Sequence, residues 1–335
     1  MAKFLIIRFS SIGDIVLTTP VIRCLHRQVS GAEIHYLTKN EFLPLLSSNP
    51  YINHLHGYDE DFKALVTKLK REKFDYIIDL HHNLRTLHLK IALGVKSYSF
   101  NKLNVEKWLL TAFKFDKLPS IHIVDRYLAT LADFGVQNDG KGLEYFIPDA
   151  EQVAMATLPE THRNGYIGLV AGAALATKQL PLSRIEALCH TLTQPIVVLG
   201  GKEDEETGSI LEAKFAGKVF NACGKFSLNQ SASLVAQARV IVTHDTGMMH
   251  IAAAFCKPIV SIWGNTVPAL GMAAYYPKDF PAFHRICEVP GLSCRPCSKI
   301  GFKKCPKGHF NCMMHQDIGL IAGKAALFFR LSSLV

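Results

Sequence analysis

The stretch RVIVTHDTGMMHIAAA (residues 239–254) shows how this chain is built. An apolar, β-branched run passes through an Asp-Thr-Gly turn into an Ala-rich segment, which predicts a buried strand, a loop and a helix. Such units, repeated, form a parallel sheet. Four further segments have the same strand-and-turn pattern: YIGLVAG (166–172), PIVVLGG (195–201), KVFNACG (218–224) and PIVSIWG (258–264). The second half is therefore predicted to be a doubly wound α/β domain.

The first half shows the same alternation. Strands are predicted at FLIIRF (4–9), EIHYLT (33–38) and YIIDL (76–80). Helices are predicted at DIVLTTPVIRCLHRQ (14–28), near 60–72 and at HIVDRYLATLADFGV (122–136), which Gly135 would end.

Domain boundaries follow from these patterns. Residues 137–164 are polar and contain two prolines, which is typical of connecting chain. We predict an N-terminal Rossmann-like domain over 1–150, a linker over 151–164 and a C-terminal Rossmann-like domain over 165–335. The last of these includes a Cys-rich segment, 287–312, and a C-terminal helix.

Composition limits the class of protein. With 335 residues, 49% hydrophobic and 19% charged, the chain can form two ordinary cores. No apolar run reaches the ~20 residues of a membrane span, and MAKFLII (1–7) lacks the features of a signal peptide, so we expect a cytoplasmic protein. The net charge of +9 favours an acidic partner, although a merely basic surface explains it equally well. Nucleic acid is disfavoured because the basic residues are scattered without a stacking-aromatic motif.

Common catalytic signatures are missing. The sequence has no GxGxxG, GxxxxGK[ST], HExxH or GxSxG. This disfavours dinucleotide oxidoreductases, P-loop NTPases, zinc proteases and α/β-hydrolases.

The first candidate motif is RFSSIGD (8–14), which places Asp14 at a predicted helix start after a strand. As a cap or first-turn acid, Asp14 would simply satisfy free amides. As a general base, it would take a proton from an attacking hydroxyl, although a helix N-terminus weakens a carboxylate as a base. Both interpretations stay open on spacing alone.

The second candidate motif is Asp245-Thr246-Gly247 with His250 one helical turn later. Amides at the helix start would face an anion, and Gly247 would let it approach closely, so the motif is typical of a diphosphate site. An Asp cap and a buried His are the alternative for either residue alone.

Two weaker signals follow other predicted strands. Lys178, in the loop GAALATKQLP (172–181), could neutralise a leaving phosphate, although a lone solvated Lys is more common. Glu203 or Asp204 could hold ribose hydroxyls, or could simply complement a helix dipole.

Cysteine is concentrated locally. Five of nine cysteines lie between Cys287 and Cys312. Four of them could form a structural zinc site, with His309 and His315 close by: Cys294, Cys297, Cys305 and Cys312. Thiols without metal are the favoured alternative.

Together, RFSSIGDIVLTTPVIRCL, DLHHNLRT, the KQLP loop and HDTGMMHIAAA resemble the ADP-heptose:lipopolysaccharide heptosyltransferases of glycosyltransferase family nine. The resemblance spans nearly the whole chain. It implies a GT-B fold, with two Rossmann-like domains facing an interdomain cleft, of which the N-terminal domain (1–150) would bind the acceptor and the C-terminal domain (165–335) the nucleotide sugar. It also implies inverting transfer of a heptose or similar sugar from an ADP-sugar to a lipopolysaccharide core or related anionic lipid-linked acceptor. No metal cofactor would be required, and the enzyme would contact the cytoplasmic face of the inner membrane peripherally.

The resemblance also implies residue roles. Asp14 would be the catalytic base, and Lys178 would contact the leaving diphosphate. The donor-binding residues would be Thr177, Lys178, Glu203 or Asp204, Asp245, Thr246, Gly247 and His250. The acceptor-binding residues would be Ser10, Ser11 and Gly13. Arg85, with Lys90 and Lys96 nearby in sequence, is a further candidate for contacting acidic sugars or phosphates because such an acceptor is anionic, although a solvated basic face is the more common explanation of such residues. A nucleotide-sugar epimerase and a non-catalytic nucleotide-sugar-binding protein are the alternative functions.

Overall fold

The computed structural model describes residues 2–281 and 283–332. These residues form two compact units, which do not follow the chain strictly. The first unit contains residues 2–102, 121–148 and 277–279. The second unit contains residues 103–120, 149–276, 280, 281 and 283–332.

The first unit is built on a five-stranded parallel sheet in the order β3-β2-β1-β4-β5. Its strands are β1 Lys3–Ile7, β2 Glu33–Lys39, β3 His54–Tyr58, β4 Tyr76–Asp79 and β5 Lys96–Ser99. The side chains of Phe4 to Ile7 are fully buried. A central parallel strand is covered on both faces, which is why β1 is continuously apolar.

The second unit is built on a six-stranded parallel sheet in the order β11-β10-β9-β6-β7-β8. Its strands are β6 Ile167–Val170, β7 Ile196–Leu199, β8 Val219–Asn221, β9 Val240–His244, β10 Ile259–Trp263 and β11 His284–Glu288. Every strand predicted in both halves is therefore confirmed. Strands β3, β5 and β11 were not predicted, because HLHGY, KSYS and HRICE lack an apolar run.

Helices connect the strands in both units. They are α1 Ile12–Val16, α2 Thr19–Gln28, α3 Phe62–Glu72, α4 Leu84–Leu93, α5 Asn104–Phe113, α6 Ile123–Leu128, α7 Leu182–Thr191, α8 Glu205–Lys214, α9 Leu228–Gln237, α10 Gly247–Ala254, α11 Asn311–Met314 and α12 Ile318–Leu331. The single helix predicted over 14–28 is divided at Leu17 and Thr18, where the Thr18 hydroxyl donates to the Ile15 carbonyl. The predicted stop at Gly135 is confirmed, with φ of 71° at the end of a 3₁₀ turn that continues α6.

Residues 151–164, predicted to be a linker, lie within the second unit. The Glu151 carboxylate accepts a hydrogen bond from Asn229 Nδ2 at 2.8 Å, and the Val153 amide donates to Ser233 Oγ at 3.0 Å. Helix α5 also belongs to the second unit, although it precedes the last part of the first. Each unit is therefore assembled from separate segments of the chain, and a single boundary in the sequence cannot divide the two units.

Within the part of the chain that the structure describes, no helix is long and apolar enough to span a membrane.

Candidate active site

Asp14 lies in the first turn of α1. A short loop, residues 8–11, connects this helix to β1, which ends at Ile7. Its Oδ1 is 2.6 Å from Nη2 of Arg8. Its Oδ2 accepts hydrogen bonds from the Ser11 hydroxyl at 2.9 Å and from the Ser11 amide at 3.3 Å. Asp14 is therefore a first-turn acid bonded to the residue that caps its own helix, and it is also half of an ion pair.

Arg8 holds this arrangement in place. Its guanidinium is nearly buried and donates to the carbonyls of Ser10 at 2.7 Å and Leu80 at 2.6 Å. Burial of Asp14 raises its pKa, but the charge of Arg8 and the Ser11 hydrogen bonds outweigh burial and leave the pKa below its usual value. Sequence reasoning missed Arg8, although a basic residue directly after a buried strand was a usable signal.

Two aromatic rings contact the exposed side chain of Arg85, the predicted acceptor contact. Its guanidinium lies over the rings of Phe9 and Tyr58, at 5.7 and 5.2 Å from their centres. The His81 ring meets Phe9 edge-on at 5.3 Å, and burial lowers the pKa of His81 to about 4. Arg85 also lines an open depression of about 530 Å³, together with Tyr58, Phe62, Asn83, Leu84 and His88.

The two neighbouring lysines have other partners. Lys90 Nζ is 2.9 Å from the buried Asp79 carboxylate, which also accepts the His82 amide. Lys96 lies 3.8 Å from Asp133. Within residues 2–281 and 283–332, Arg85 forms no ion pair, so of these three basic side chains it is the one available for an anionic ligand.

Lys178 and Asp245, far apart in sequence, meet in the second unit. Lys178 Nζ is 2.7 Å from Asp245 Oδ2 and donates to the Asp245 carbonyl at 3.1 Å. The Thr266 hydroxyl donates to the same Oδ2 at 2.8 Å. The loops after β6, β9 and β10 thus converge, as expected where parallel strands end on one edge. Thr266 was not predicted.

Thr246 occupies the N-cap position of α10, just before Gly247. Its side chain makes no capping hydrogen bond within the described structure, and its hydroxyl lies 3.2 Å from that of Thr243. The first amides of α10 are therefore not capped by this side chain and can face an anion. His250, one turn later, is buried.

The two acids proposed for ribose differ in environment. Asp204 is buried, and its Oδ2 accepts the Gly201 amide at 2.9 Å, beside Gly172 and Gly200. Burial raises the pKa of Asp204. Glu203 is exposed. Asp204 therefore shapes the loop after β7, and Glu203 is free to reach a ligand.

The Cys-rich segment supports the same loops. Thr177, predicted to bind the donor, is buried and exchanges hydrogen bonds with the backbone of Phe302 through its hydroxyl, at 2.8 and 3.1 Å. Arg295 donates to the carbonyls of Trp263 at 3.3 Å and Thr266 at 3.1 Å. The segment is thus fastened to the loops after β6 and β10, which its sequence did not indicate.

Asn265, between these contacts, is also new. Its carbonyl accepts the Cys297 amide at 3.0 Å. Its side-chain amide is buried, and neither polar atom has a hydrogen-bond partner among the residues described. A buried amide of this kind normally bonds to water or a ligand.

The cysteines do not form a preassembled metal cage. In residues 2–281 and 283–332, the close groups of three potential ligands contain Glu33, His35, His54, His56 and Glu72, but no cysteine. Cys294 Sγ is 3.9 Å from His309 Nε2, and Cys297 Sγ is 3.0 Å from the Cys294 carbonyl. The zinc site stays a prediction.

Known proteins resemble the chain closely in fold. Lipopolysaccharide heptosyltransferase 2 of Salmonella typhimurium is 25% identical over 291 residues, covering 79% of this chain and 84% of that protein. The glycosyltransferase family 9 structure from Veillonella parvula superposes with a TM-score of 0.78 at 21% identity, over 98% of this chain and 97% of that one. The ADP-heptose lipopolysaccharide heptosyltransferase II of E. coli does so with a TM-score of 0.76 at 19% identity, over 99% of both chains.

These likenesses confirm the predicted α/β fold of the GT-B type with Rossmann-like domains. The profile of glycosyltransferase family 9 (heptosyltransferase) matches residues 62–279, which is well over half of the chain. The match includes Lys178 and the Asp245 motif but not Asp14 or the Cys-rich segment. On this match, the protein belongs to glycosyltransferase family 9, the heptosyltransferases, and is a glycosyltransferase.

Proposed function

We propose that this enzyme transfers a heptose from ADP-heptose to an anionic, lipid-linked saccharide of the lipopolysaccharide core, with inversion at the anomeric carbon. The observation that carries the proposal is the convergence of Lys178, Asp245 and Thr266 beside the uncapped start of α10. A cation and free helix amides together suit a diphosphate. Family membership and the ADP-heptose enzyme of E. coli support the choice of donor.

In the proposed reaction, an acceptor hydroxyl attacks the anomeric carbon and gives its proton to the Asp14 carboxylate. A carbon–oxygen bond forms as the bond to the β-phosphate oxygen breaks, and the electron pair leaves with ADP. One displacement inverts the centre. Lys178 and the amides of Thr246 and Gly247 stabilise the charge that develops on ADP, and Glu203 binds the ribose hydroxyls. No step requires a metal ion.

Asp14→Asn tests the catalytic base. An amide keeps the shape of the carboxylate but cannot accept the proton, so transfer should fall by ~10²–10⁴ while ADP binding is retained. Asp61→Asn is the matched control, because Asp61 also begins a helix of the first unit and accepts the Ala64 amide. Activity of Asp14→Asn within about tenfold of wild type would remove Asp14 from this role. ADP-sugar conversion without any acceptor would instead support an epimerase.

Membrane contact is the second part of the proposal. In the second unit, α5 and the chain after it expose four large apolar side chains: Val105, Trp108, Phe113 and Phe115. Trp108 is 56% exposed and meets Phe113 edge-on, with ring centres 5.0 Å apart. Lys117 lies over the Phe115 ring. Exposed aromatics beside lysines are the composition of a surface that enters the headgroup region of a bilayer.

Helix α4 of the first unit exposes a second apolar row, formed by Leu84, Leu87 and Ile91, which are 75%, 45% and 70% exposed. These residues repeat at the three- and four-residue spacing of one helix face. Arg85 lies beside the row, and residues 80–105 contain no Asp or Glu. We propose that each of these surfaces, taken on its own unit, is suited to contact the anionic bilayer in which the acceptor is anchored.

Vesicles of mixed anionic and zwitterionic lipid test the membrane contact. Trp263 is buried, so a blue shift of fluorescence on vesicle addition reports Trp108. We expect this shift, and we expect co-sedimentation that Leu84→Ser/Ile91→Ser and Phe113→Ser each weaken. Ile210→Ser, at an exposed apolar residue of α8, is the control and should bind as wild type does. No shift and equal sedimentation of all variants would exclude these surfaces.

A further inference from the structure

A cluster of potential metal ligands lies at the amino ends of two neighbouring strands of the first unit, outside the candidate active site. Glu33 and His35 are two residues apart on β2, and His54 and His56 are two residues apart on β3. Side chains two apart on a strand share a face. His35 and His54 are paired in register, so both strands direct their ligands to the same place.

The distances are short. His35 Nε2 is 2.9 Å and His54 Nε2 is 3.7 Å from Oε1 of Glu33. One ligand atom from each of these three residues lies within 4.8 Å of the other two. The rings of His35 and His54 have centres 4.5 Å apart. Three ligand atoms around one point, at separations near those of a tetrahedral site, need only small side-chain rotations to share an ion.

His56 lies behind His35. Its Nε2 is 2.8 Å from His35 Nδ1, and its own Nδ1 is buried without a hydrogen-bond partner among the described residues. The carboxylate of Glu72 belongs to a second close group with His35 and His56. When Nε2 of a histidine holds a metal, its Nδ1–H almost always donates to a neighbour that fixes the ring. His56 Nε2 is placed to accept that proton, and Glu72 is near enough to orient His56 in turn.

We propose that Glu33, His35 and His54 bind one divalent transition-metal ion, with Zn²⁺ as the best match to two imidazoles and a carboxylate, and that His56 is a positioning residue for His35. His54 is 58% exposed, so the ion enters from solvent, and water completes its coordination.

The position of the cluster makes the ion structural. Lys3, at the start of β1, lies 3.1 Å from Glu33, whereas Asp14 follows the opposite end of that strand. β3 is the edge strand of the sheet, next to β2. An ion held by Glu33, His35 and His54 would join these strands and stabilise the folded state by its binding energy. Lys3 now competes with the ion for the Glu33 carboxylate.

Titration of the full-length, metal-free protein with Co²⁺ tests the site, because visible absorption reports ligands and thermal unfolding reports stabilisation. We expect one bound Co²⁺ ion whose absorption spectrum indicates nitrogen and oxygen ligands. This spectrum should lack the near-ultraviolet thiolate bands that a cysteine site would give. His54→Ala should remove this ion and the associated increase in Tm, and His56→Asn should weaken binding roughly 10–100-fold. Lys3→Ala should strengthen it. His190→Ala, at an exposed histidine of α7, is the control and should bind as wild type does.

Two results would overturn the proposal. One is absence of Co²⁺ and Zn²⁺ binding outside the cysteines, which would leave the cluster as a hydrogen-bonded network only. The other is equal binding by wild type and His54→Ala. His54 is largely exposed, so its removal should not prevent folding, and circular dichroism of the variant checks this point.

Discussion

The guanidinium of Arg8 lies 2.6 Å from the carboxylate of Asp14, so the proposed base is half of an ion pair. Both residues come from the seven-residue motif at the end of β1, and the loop brings them together. The pairing keeps Asp14 ionised but lowers its basicity, because Arg8 stabilises the carboxylate relative to the protonated acid.

The first prediction concerns pH. Because the pKa of Asp14 is lowered, the carboxylate is ionised at all pH values above that depressed pKa, and kcat/KM should fall only at strongly acidic pH. Arg8→Gln leaves only the Ser11 hydrogen bonds to oppose the effect of burial, so it should raise the pKa of Asp14 and move the acidic limb of the pH profile of kcat/KM to higher pH. Arg8→Lys keeps the charge and should move it less. Coincident acidic limbs in wild type and Arg8→Gln would show that Asp14 is not the titrating group.

Lys178→Ala should weaken donor use. The variant removes the cation beside Asp245 and leaves that carboxylate to repel a diphosphate, so kcat/KM for the donor should fall by about 10² or more. Lys214→Ala is the control, since Lys214 also forms an ion pair, with Glu186, on the exposed face of α8. Donor kinetics and ADP affinity measure the effect. Equal donor kinetics in the two variants would place the diphosphate elsewhere.

Arg85→Ala should raise the acceptor KM more than the donor KM. Arg85 has no acidic partner in the described structure and is held over Phe9 and Tyr58, so it can bind an acidic sugar or phosphate. Lys96→Ala, which removes an exposed lysine paired with Asp133, serves as the control. Initial rates with each substrate varied in turn measure both constants. A larger change in the donor KM would assign Arg85 to the donor.

A fourth prediction concerns stability of the first unit. The fully buried Arg23 pairs with Asp139 at 2.8 Å and with Glu144 at 3.0 Å. Arg23→Met leaves both acids unpaired and should lower the free energy of unfolding by about 3 kcal/mol. Denaturant titration measures this, with Lys39→Met, at an exposed Lys39–Glu41 pair, as the control. A loss as small as that of the control would contradict the ion pair's role.

The same pair has a pH signature. Burial raises the pKa of Asp139, but hydrogen bonds from Arg23 and from the Lys141 amide lower it by more than burial raises it. The folded-state pKa of Asp139 is therefore depressed. The stability that the ionised Asp139 carboxylate contributes to the folded state is therefore complete above the ordinary Asp pKa of 3.8. It is lost as pH falls below that value towards and through the folded-state pKa. Asp139→Asn should flatten this acid-dependent loss of stability.

The fifth prediction concerns metal removal. Lys178 and the start of α10 supply positive charge at the proposed diphosphate site, so transfer should persist in EDTA. If the four cysteines at 294, 297, 305 and 312 bind zinc, chelation should lower Tm without changing the chemistry, because protein ligands would fill all coordination positions. Elemental analysis of protein purified without added metal measures the content. Activity lost in EDTA and restored by Mg²⁺ would contradict the proposed mechanism.

Local sequence was sufficient for much of the fold. The apolar runs of β1, β6, β7, β9 and β10 could be read directly, because a central parallel strand must be apolar on both faces. The polar strand β3 could not, since an edge strand has fewer apolar contacts to satisfy. The start of α10 was predictable because Asp245, Thr246 and Gly247 act over one turn of chain.

Tertiary structure decided the partners. Nothing local to Lys178 indicates that its charge meets Asp245, 67 residues later, or that Thr266 donates to the same carboxylate. The same holds for Thr177 and Phe302, which join the Cys-rich segment to a loop 125 residues earlier. Spacing along the chain determines periodicity and turns, which are short-range properties. Which charge is neutralised and which polar group is buried depends on how parallel strands bring distant loops to one edge of a sheet, and only the folded chain fixes that.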